Sequence, residues 1–474
     1  MGVQNPNTTD YEHPDEPNLL NLHKAMQYNS SGEPVIRTAI DGDITIGEVI
    51  VDNVEISNDE GNPIPITGTV SVTGADFTFG GTSVDAFGRL RISDALTLFD
   101  TRTMYYDHDQ FASNLVASGN VVYNANSSSY LMSVTGAGDA VYRETYKTFS
   151  YQPGKSLLVL NTFCGNTPTN GITQRIGYFN DENGIFFEID GETLNMVIRS
   201  SSSGSITHER VAQSAWNADR LTGLADDNNP SGISINPALS QIFWMDIEWL
   251  GVGSVRTGFV INGQFIHCHT FNHANQIGNT TTYMGTANLP CRYELISTGP
   301  AATMRQICTT VISEGGYEMS GRVSSIGHGF ATEVSLPNDD SFIPLLSIRL
   351  KSTMPDAIVI PKNFSISVGS NDLYIWRVYR RAITSGGSWT SGGIHTAVEY
   401  NLAPTTLISG DRIDEGFIQS SNQSSGSLSN EDLAFENQLF RDPFTNTRYE
   451  FVLMCATNGT NVTALAAVQW QDIS

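Results

Sequence analysis

Apolar and polar residues alternate with a period of two along much of the chain, most clearly between residues 183 and 294. In the run 241–250, Phe243, Met245 and Ile247 lie on one side of an extended backbone, whereas Asp246 lies on the other. A period of two places successive side chains on opposite faces of a β-strand. The pattern therefore predicts a strand with one buried face and one face toward solvent.

Two Asx-Gly pairs predict tight hairpins within the same block. Asp190-Gly191 lies between strand-like runs at 184–189 and 193–199, and Asn262-Gly263 lies between two further runs of the same kind. A type I′ turn needs positive φ at both central residues, which Asp or Asn followed by Gly adopts readily. Successive hairpins of this kind indicate an antiparallel β-sandwich.

A second strand-rich unit follows a glycine-rich boundary near Gly315 and Gly316. A polar, low-complexity segment within this unit, residues 420–429, is typical of an exposed loop. Strands of the second unit are predicted at 364–368, 373–383, 448–456 and 462–470.

These patterns predict an all-β protein in three parts. Residues 1–82 form an N-terminal anchor and extended stalk, residues 83–318 form a jelly-roll or lectin-like antiparallel β-sandwich, and residues 319–474 form a C-terminal β-sandwich domain. Each of the last two parts is long enough to bury its own core.

The N-terminal part differs from the rest in composition. Leu19, Leu22 and Met26 have helical spacing, which predicts a short amphipathic helix at 18–28. Short Ile- and Val-rich runs between residues 34 and 73 are too narrow to build a core of their own. We therefore expect these strands to pair with another chain or another surface.

Charge and composition exclude several classes of protein. The formal net charge of −24, from 49 acidic against 25 basic residues, repels phosphate backbones, so we expect no nucleic acid as a partner. No signal peptide or apolar run of membrane-spanning length occurs, so we expect no membrane insertion. The five cysteines contain no C-x-x-C pair and are expected to be buried free thiols.

Glu188, Asp190 and Glu192 form a catalytic-looking set of alternating carboxylates. They resemble the Glu-x-Asp-x-Glu core of laminarinase-like β-sandwich hydrolases, in which paired carboxylates act as acid and nucleophile. A hairpin turn at Asp190-Gly191 would move Glu188 and Glu192 onto opposite strands. We therefore expect no catalytic residues here and a protein that is not an enzyme.

Two further groups of side chains could bind metal ions. His267 and His269 share one face of a predicted strand, with Cys268 between them and His273 just beyond, and three histidines can hold a metal. Acidic pairs could bind calcium, but no complete calcium-loop motif and no nucleotide-binding glycine motif is present. We expect neither a metal site nor a cofactor; the acidic candidates are Asp246 with Glu248, and Asp41, Asp43, Asp59 and Glu60.

Trp389 lies in a segment of Ser and Gly that contains no neighbouring apolar residue. It either fills a distant core or stacks on a ligand such as a sugar ring, and it is the one candidate ligand-binding residue. Trp216, also in a polar stretch, is expected to be buried in the core.

Several segments together carry a resemblance to a known family. They are Asp59-Glu-Gly-Asn-Pro-Ile-Pro-Ile66, Thr67-Gly-Thr-Val-Ser-Val, Asp85-Ala-Phe-Gly-Arg-Leu-Arg, Thr97-Leu-Phe-Asp100, Asn183-Gly-Ile-Phe-Phe-Glu188, Asp246-Ile-Glu-Trp-Leu-Gly-Val-Gly-Ser-Val-Arg256 and Asn288-Leu-Pro-Cys-Arg-Tyr-Glu294. Across residues 20–330 the chain resembles virion structural proteins of large tailed phages, and marine cyanophage examples are the most similar.

The resemblance implies a bacteriophage virion protein, either a tail fibre or spike or a capsid decoration protein. It implies a homo-oligomer, which together with the coreless strands at 34–73 we expect to be a homotrimer, in contact with other proteins of the capsid, neck or tail. Host-surface adhesion through a glycan is a further expectation. The alternatives are a carbohydrate-active β-sandwich enzyme, such as a glycoside hydrolase, and a cellular lectin-like binding module.

Overall fold

The computed structural model describes residues 26–28, 34–36, 94–369, 372–419, 425–429 and 437–473, with backbone alone for the three short segments. The chain divides into two units, residues 1–77 and 78–474.

In the first unit, strand β1 (Met26–Tyr28) pairs antiparallel with strand β2 (Pro34–Ile36). The predicted helix at 18–28 is therefore wrong for its last three residues, and the rest of it lies outside the described residues. The sequence between the two strands is Asn-Ser-Ser-Gly-Glu, which is rich in turn-forming residues. This hairpin signal competes with the helical spacing of only three apolar residues. The predicted stalk otherwise also lies outside the described residues.

The second unit begins with an antiparallel β-sandwich of two large sheets. Its seventeen strands are β3 (Ala95–Asp100), β4 (Phe111–Val116), β5 (Asn120–Asn124), β6 (Ser129–Val134), β7 (Ala140–Thr145), β8 (Phe149–Ser150), β9 (Ser156–Cys164), β10 (Ile172–Phe179), β11 (Gly184–Asp190), β12 (Thr193–Ser200), β13 (Thr207–Ala212), β14 (Ser240–Ile247), β15 (Val255–Ile261), β16 (Gln264–Phe271), β17 (Asn288–Leu289), β18 (Cys291–Ser297) and β19 (Ala302–Glu314).

The seven-stranded sheet has the order β13-β12-β11-β10-β18-β7-β4, and the eight-stranded sheet has the order β16-β15-β14-β9-β19-β6-β5 with β3 added beside β19. Apolar side chains from the inner faces of both sheets form one core, which includes Phe163, Phe187, Phe243 and Phe259. Trp216 is buried in this core, as its sequence context predicts.

The hairpin predicted at Asn262-Gly263 is confirmed, because Ile261 pairs with Gln264 and both turn residues have positive φ. The hairpin predicted at Asp190-Gly191 is also confirmed, but its turn lies one residue further along the chain. Asp190 pairs with Thr193, so the central residues are Gly191 and Glu192. Gly191 has φ +60, and a glycine at the first central position is typical of a type II′ turn.

Strand β14 is buried on both faces, so the expectation of a half-buried strand is wrong. Phe243 and Met245 face the core, and Trp244 and Asp246 on the other face are equally inaccessible. Trp244 is covered by Phe265, whose ring lies 5.6 Å away. Local side chains therefore seal the outer face of this sheet.

A second sandwich follows along the chain. Its strands are β20 (Arg322–Gly327), β21 (Val334–Leu336), β22 (Ile343–Leu350), β23 (Val359–Val368), β24 (Leu373–Ser385), β25 (Thr390–Ser391), β26 (Val398–Asn401), β27 (Thr406–Gln419), β28 (Ser425–Ser429), β29 (Glu450–Thr457) and β30 (Val462–Asp472). One sheet has the order β20-β30-β23-β28 with β21 beside β30, and the other has the order β25-β26-β22-β29-β24-β27.

The second sandwich has its own core, in which Trp470, Tyr374 and Phe451 are buried. The loop predicted at 420–429 is wrong for its second half, because Ser425–Ser429 pairs with Asn363–Ser367 of β23. Small polar residues can complete a sheet edge through backbone hydrogen bonds alone, and their composition does not reveal this role.

The all-β class predicted from the sequence, with a lectin-like antiparallel sandwich and a second β-domain, is confirmed. The helices among the described residues are three single turns of 3₁₀-helix at Ala125–Ser127, Gln213–Ala215 and Phe330–Thr332. No helix of the described residues is long and apolar enough to cross a membrane. The boundaries at 82/83 and 318/319 stay predictions.

The two sandwiches contact each other directly within the second unit. Arg381 of β24 donates to the Asp109 carboxylate at 2.7 Å and to the Tyr146 hydroxyl at 2.9 Å. The Tyr146 ring lies 5.5 Å from Phe440, and Thr148 donates to the carbonyl of Asp356. An aromatic and ionic junction thus joins the sheets of one sandwich to those of the other.

Candidate functional site

The outer face of the seven-stranded sheet carries a row of paired opposite charges drawn from five of its seven strands; β12, which lies between β13 and β11, contributes none of them. Strand register places Arg175 of β10 between Glu188 of β11 and Glu294 of β18, and it places Arg292 beside Glu144 of β7. Since neighbouring strands lie about 4.8 Å apart, side chains in one row contact each other across the sheet. We name the six residues of this row the charge ladder: Arg210, Glu188, Arg175, Glu294, Arg292 and Glu144.

The distances within the charge ladder are those of close ion pairs. Glu188 accepts from Arg210 Nε at 2.8 Å and from Arg175 Nε at 2.8 Å. Glu294 lies 2.8 Å from Arg175 Nη1 and 2.8 Å from Arg292 Nε. Arg292 Nη1 donates to Glu144 at 2.9 Å. Each central carboxylate therefore has two guanidinium neighbours.

Burial and pairing shift the pKa values of the glutamates in opposite directions. Burial raises the pKa of Glu188, but hydrogen bonds from Arg210 and Arg175 outweigh it, so the pKa lies below its usual value. Burial raises the pKa of Glu144 to about 7, and Arg292 offsets this effect only in part. Glu188 is thus held as a carboxylate, whereas Glu144 titrates near neutral pH.

A small apolar cluster lies beneath the arginines of the same face. Phe179, Phe186 and Val197 are fully buried although they point away from the main core. The guanidinium of Arg199 lies 5.4 Å from the Phe179 ring and 5.0 Å from the Phe186 ring. The arginines therefore both neutralise the carboxylates and cover the aromatic rings.

The three carboxylates singled out in the sequence do not assemble into one site. Glu188 is a fully buried member of the charge ladder, Asp190 accepts from the Thr173 hydroxyl at 3.0 Å, and Glu192 is a turn residue. The ladder itself was not predicted from the sequence. Its signal, arginines and glutamates on the same face of several strands, becomes visible only when the register of the strands is known.

The outer face of the eight-stranded sheet contains a second buried ion pair. Asp246 of β14 pairs with Arg256 of β15 and accepts from the hydroxyl of Ser156. Glu248 instead accepts from the backbone of Ser254 at 3.1 Å. These two carboxylates are therefore not arranged as calcium ligands. The other calcium candidates, Asp41, Asp43, Asp59 and Glu60, lie outside the described residues.

The histidines do not form a metal site. His267 contacts the Thr270 hydroxyl at 2.8 Å, and His269 accepts from the backbone of Asn217 at 3.3 Å. His273 contacts the Gly253 carbonyl at 2.7 Å. In the part of the chain that the structure describes, no group of three or more His, Cys, Asp or Glu side chains could hold a metal ion.

The cysteines are free thiols with different environments. Cys268, Cys291 and Cys455 are buried, Cys164 is half-buried, and Cys308 is exposed. The expectation of buried thiols is therefore wrong for Cys308.

Trp389 lies half-buried over the outer face of a sheet in the second sandwich. The guanidinium of Arg349 lies 3.7 Å from the centre of its ring, within range of a cation–π interaction. Arg349 Nε in turn donates to Glu399 at 2.6 Å, and Glu399 also accepts from Arg448 at 2.6 Å. The indole is therefore held over a fixed ionic base, while Gly386, Gly387 and Ser388 before it are exposed.

No protein-family model matches the sequence, and no curated protein matches it. Solved structures do match. The GH16 of the Bacteroides ovatus mixed-linkage glucan PUL is 10% identical, and the match covers 45% of this chain and 99% of that chain with a TM-score of 0.30. The CBM2 module of an evolved Dit protein of Lactobacillus casei BL23 phage J-1 is 6% identical. The match covers 47% of this chain and 98% of that chain with a TM-score of 0.30. The Emp47p carbohydrate recognition domain is 6% identical. The match covers 46% of this chain and 93% of that chain with a TM-score of 0.28.

The expectation that the chain is not an enzyme is contradicted by these matches. Family 16 glycoside hydrolases and a mycobacterial β-1,3-glucanase are among the solved structures that it resembles. We therefore withdraw that expectation. At these identities and TM-scores, the matches carry no argument for a particular reaction or ligand.

Proposed function

We propose that the protein is a structural component of a tailed-phage virion, a fibre, spike or decoration protein that displays two joined β-sandwiches. On this proposal its place is the virion and its N-terminal part, residues 1–82, attaches it to other proteins of the capsid, neck or tail. Three copies assemble through the narrow Ile- and Val-rich runs at 34–73.

One observation carries the proposal. The segments that resemble phage virion proteins supply the buried ion pairs of both sheets of the first sandwich. Glu188 and Glu294, which end two of these segments, are the central carboxylates of the charge ladder. Asp246 and Arg256, which begin and end a third, pair with each other on the opposite sheet. The resemblance therefore lies in residues that hold the sandwich framework together.

The junction between the sandwiches supports a role in a mechanically stable particle. Arg381 bridges Asp109 and Tyr146, and Asn288, from another resembling segment, donates to the carbonyl of Asp356 in the second sandwich. Polar contacts and the packing of the Tyr146 ring against Phe440 and Tyr449 together limit hinge motion between the two sandwiches. A display protein benefits from such stiffness, because its distal surface is then presented in a fixed orientation.

We propose that the second sandwich contacts a host-surface glycan. Recognition residues collect on loops held by a rigid scaffold, and Trp389 is held in this way over Arg349. A flat indole can pack against the apolar face of a sugar ring. Such a contact contributes about 1 kcal/mol beyond burial, and three copies would multiply it through avidity.

Imaging of intact particles tests the proposal. Particles of the virus that encodes the chain are compared with particles in which the C-terminus carries a bulky label, using electron microscopy. We expect additional density at one defined, repeated position on the particle. Particles that carry no label, while the labelled chain accumulates in the lysate, would contradict the proposal.

A further inference from the structure

We infer that the cleft between the two sandwiches binds an acidic sugar, a pyranose that carries a carboxylate, as uronic and sialic acids do. The cleft has a volume of about 140 Å³ and is lined by residues of both sandwiches. The inference names a ligand for the proposed adhesion role. Only the origin of the sugar, the host surface, rests on that role.

The charge of the cleft is opposite to that of the chain. Its lining contains Arg102, Lys147, Arg380 and Arg381 against three acidic residues, whereas the whole chain has about twice as many acidic as basic residues. A concave site with a surplus of one sign concentrates ligands of the other sign. An isolated anionic group can therefore bind here, while a polyanion is repelled by the surrounding surface.

Arg380 provides the cation that is available to a ligand. Arg381 is engaged by Asp109 and Tyr146. The guanidinium of Arg380, by contrast, has no hydrogen-bond or ion-pair partner among the described residues, and its side chain is half-buried at the lining. A guanidinium in this setting can form the paired hydrogen bonds with which arginine recognises a carboxylate.

Two exposed aromatic side chains occur in the chain segment that connects residues of the cleft lining. Tyr105 and Tyr106 are 88% and 60% exposed, and they lie in the loop between Arg102 and His108, both of which line the cleft. The Tyr106 ring stacks on His108 at 5.1 Å. Exposed tyrosines next to a polar cleft offer an apolar face to the C–H groups of a pyranose and hydroxyls to its oxygens.

The backbone is unusual at one residue of the cleft lining and at a residue close in sequence to two others. Tyr105 has φ +73 and Arg381 has φ +50, a conformation that bulky residues rarely adopt. Such conformations cost on the order of 1–3 kcal/mol and cluster at ligand-binding sites. Arg381 lines the cleft from the second sandwich, and Tyr105 lies three residues from the lining residues Arg102 and His108 of the first.

Calorimetric titration of the full-length chain tests the inference. The probes each carry a single carboxylate: methyl glucuronide and sialyl-lactose, with the neutral methyl glucoside and lactose as their counterparts, at about 20 mM and about 500 mM salt. We expect at least one acidic probe to bind, its neutral counterpart to bind more weakly, and affinity to fall at the higher salt. The acidic probe that binds more tightly shows whether the cleft prefers a uronic or a sialic acid.

Two variants and two matched controls locate the site. Arg380→Gln should weaken binding at least about ten-fold, because a charge-assisted pair is lost. Tyr105→Ala, at an exposed position, should weaken it roughly three- to ten-fold. The controls Arg322→Gln and Phe330→Ala change exposed residues outside the lining and should bind as the unchanged chain does.

Equal affinity for acidic and neutral probes, undiminished binding by both variants, or no binding of any probe would each overturn the inference. Binding is measured on the isolated chain, so it does not depend on whether the chain is found in particles. If the chain is absent from particles but still binds an acidic sugar in a way that depends on Arg380, the result counts against the proposed function. It still supports the cleft as a binding site.

Discussion

Glu294 and Arg175 face each other on neighbouring strands of the seven-stranded sheet, with 2.8 Å between Oε2 and Nη1. Their pairing lies at the middle of the charge ladder, and both residues are largely removed from water on a face that points away from the main core. Burying a charge is costly unless a partner compensates it. The ladder therefore fixes the register of the four consecutive strands β11, β10, β18 and β7, since a slip by one residue would leave several charges buried and unpaired.

Removal of Glu188 should strongly destabilise the first sandwich. Glu188→Ala leaves Arg175 and Arg210 without their shared carboxylate, and breaking a buried pair in this way costs about 3–5 kcal/mol. Glu188→Gln should cost less, because the amide oxygen still accepts a hydrogen bond. Chemical unfolding measures both. The exposed Asp190→Asn on the same strand is the control, and equal stability of the Glu188→Ala and Asp190→Asn variants would contradict the structural role of the ladder.

Glu144 should make stability depend on pH near neutrality. Its pKa of about 7 in the folded chain lies above the ordinary value of 4.5, so the folded state binds the proton more tightly. The stability associated with this proton is fully present below pH 4.5 and is lost as the pH rises through 7. Since one pKa unit corresponds to about 1.4 kcal/mol, the loss is on the order of 3 kcal/mol.

Glu144→Gln should abolish this loss, so that the variant exceeds the unchanged chain in free energy of unfolding at pH 8 and approaches it at pH 4. Urea unfolding at several pH values provides the measurement. Glu182→Gln, a change at an exposed residue, serves as the control. If the pH profiles of the Glu144→Gln and unchanged chains are parallel, Glu144 does not titrate in this range.

Individual elements show how much of the fold the sequence alone predicts. Asn262-Gly263 specifies its hairpin because both residues accept positive φ. At Asp190-Gly191 the same signal predicts the hairpin but not its register. The pairing of Asp190 with Thr193 makes Gly191 the first and Glu192 the second central residue of the turn. Strand β28 has no apolar pattern in its sequence, and it is recognised as an edge strand only from its pairing with β23.

The sites were less predictable than the fold for a related reason. Glu188 was singled out, but its partners Arg175 and Arg210 are distant in the sequence and become neighbours only through the strand order. The cleft at Arg380 requires the packing of two sandwiches, which no local pattern encodes. Trp389 was found because an isolated aromatic residue among Ser and Gly is a local signal, although its partner Arg349 was not.

Trp389→Ala should reduce binding to the host surface and leave folding nearly unchanged. Arg349 retains its pairing with Glu399 when the indole is removed, so the loss of stability should stay within about 1 kcal/mol, the scale of one exposed cation–π contact. Cell-binding and thermal-melting measurements are compared with those of Phe330→Ala, an exposed aromatic control in the same sandwich. Normal binding with a clearly lower melting temperature would instead assign Trp389 to packing.

The purified full-length chain should be a trimer. The runs at 34–73 are too narrow to bury a core within one chain, and three chains would supply the missing apolar partners. Mass photometry should show a species of three times the mass of one chain. A monomer that persists at micromolar concentration would refute the oligomer, whereas a dimer or a hexamer would refute only its stoichiometry.

The most direct measurement of the central claim is the amount of this chain in purified virus particles. Particles are separated from the lysate on a density gradient, and peptides of the chain are quantified by mass spectrometry against those of the major capsid protein. The account predicts that the chain co-sediments with particles at a fixed copy number divisible by three. Recovery of the chain only in particle-free fractions, or at a copy number that varies between preparations, would contradict it.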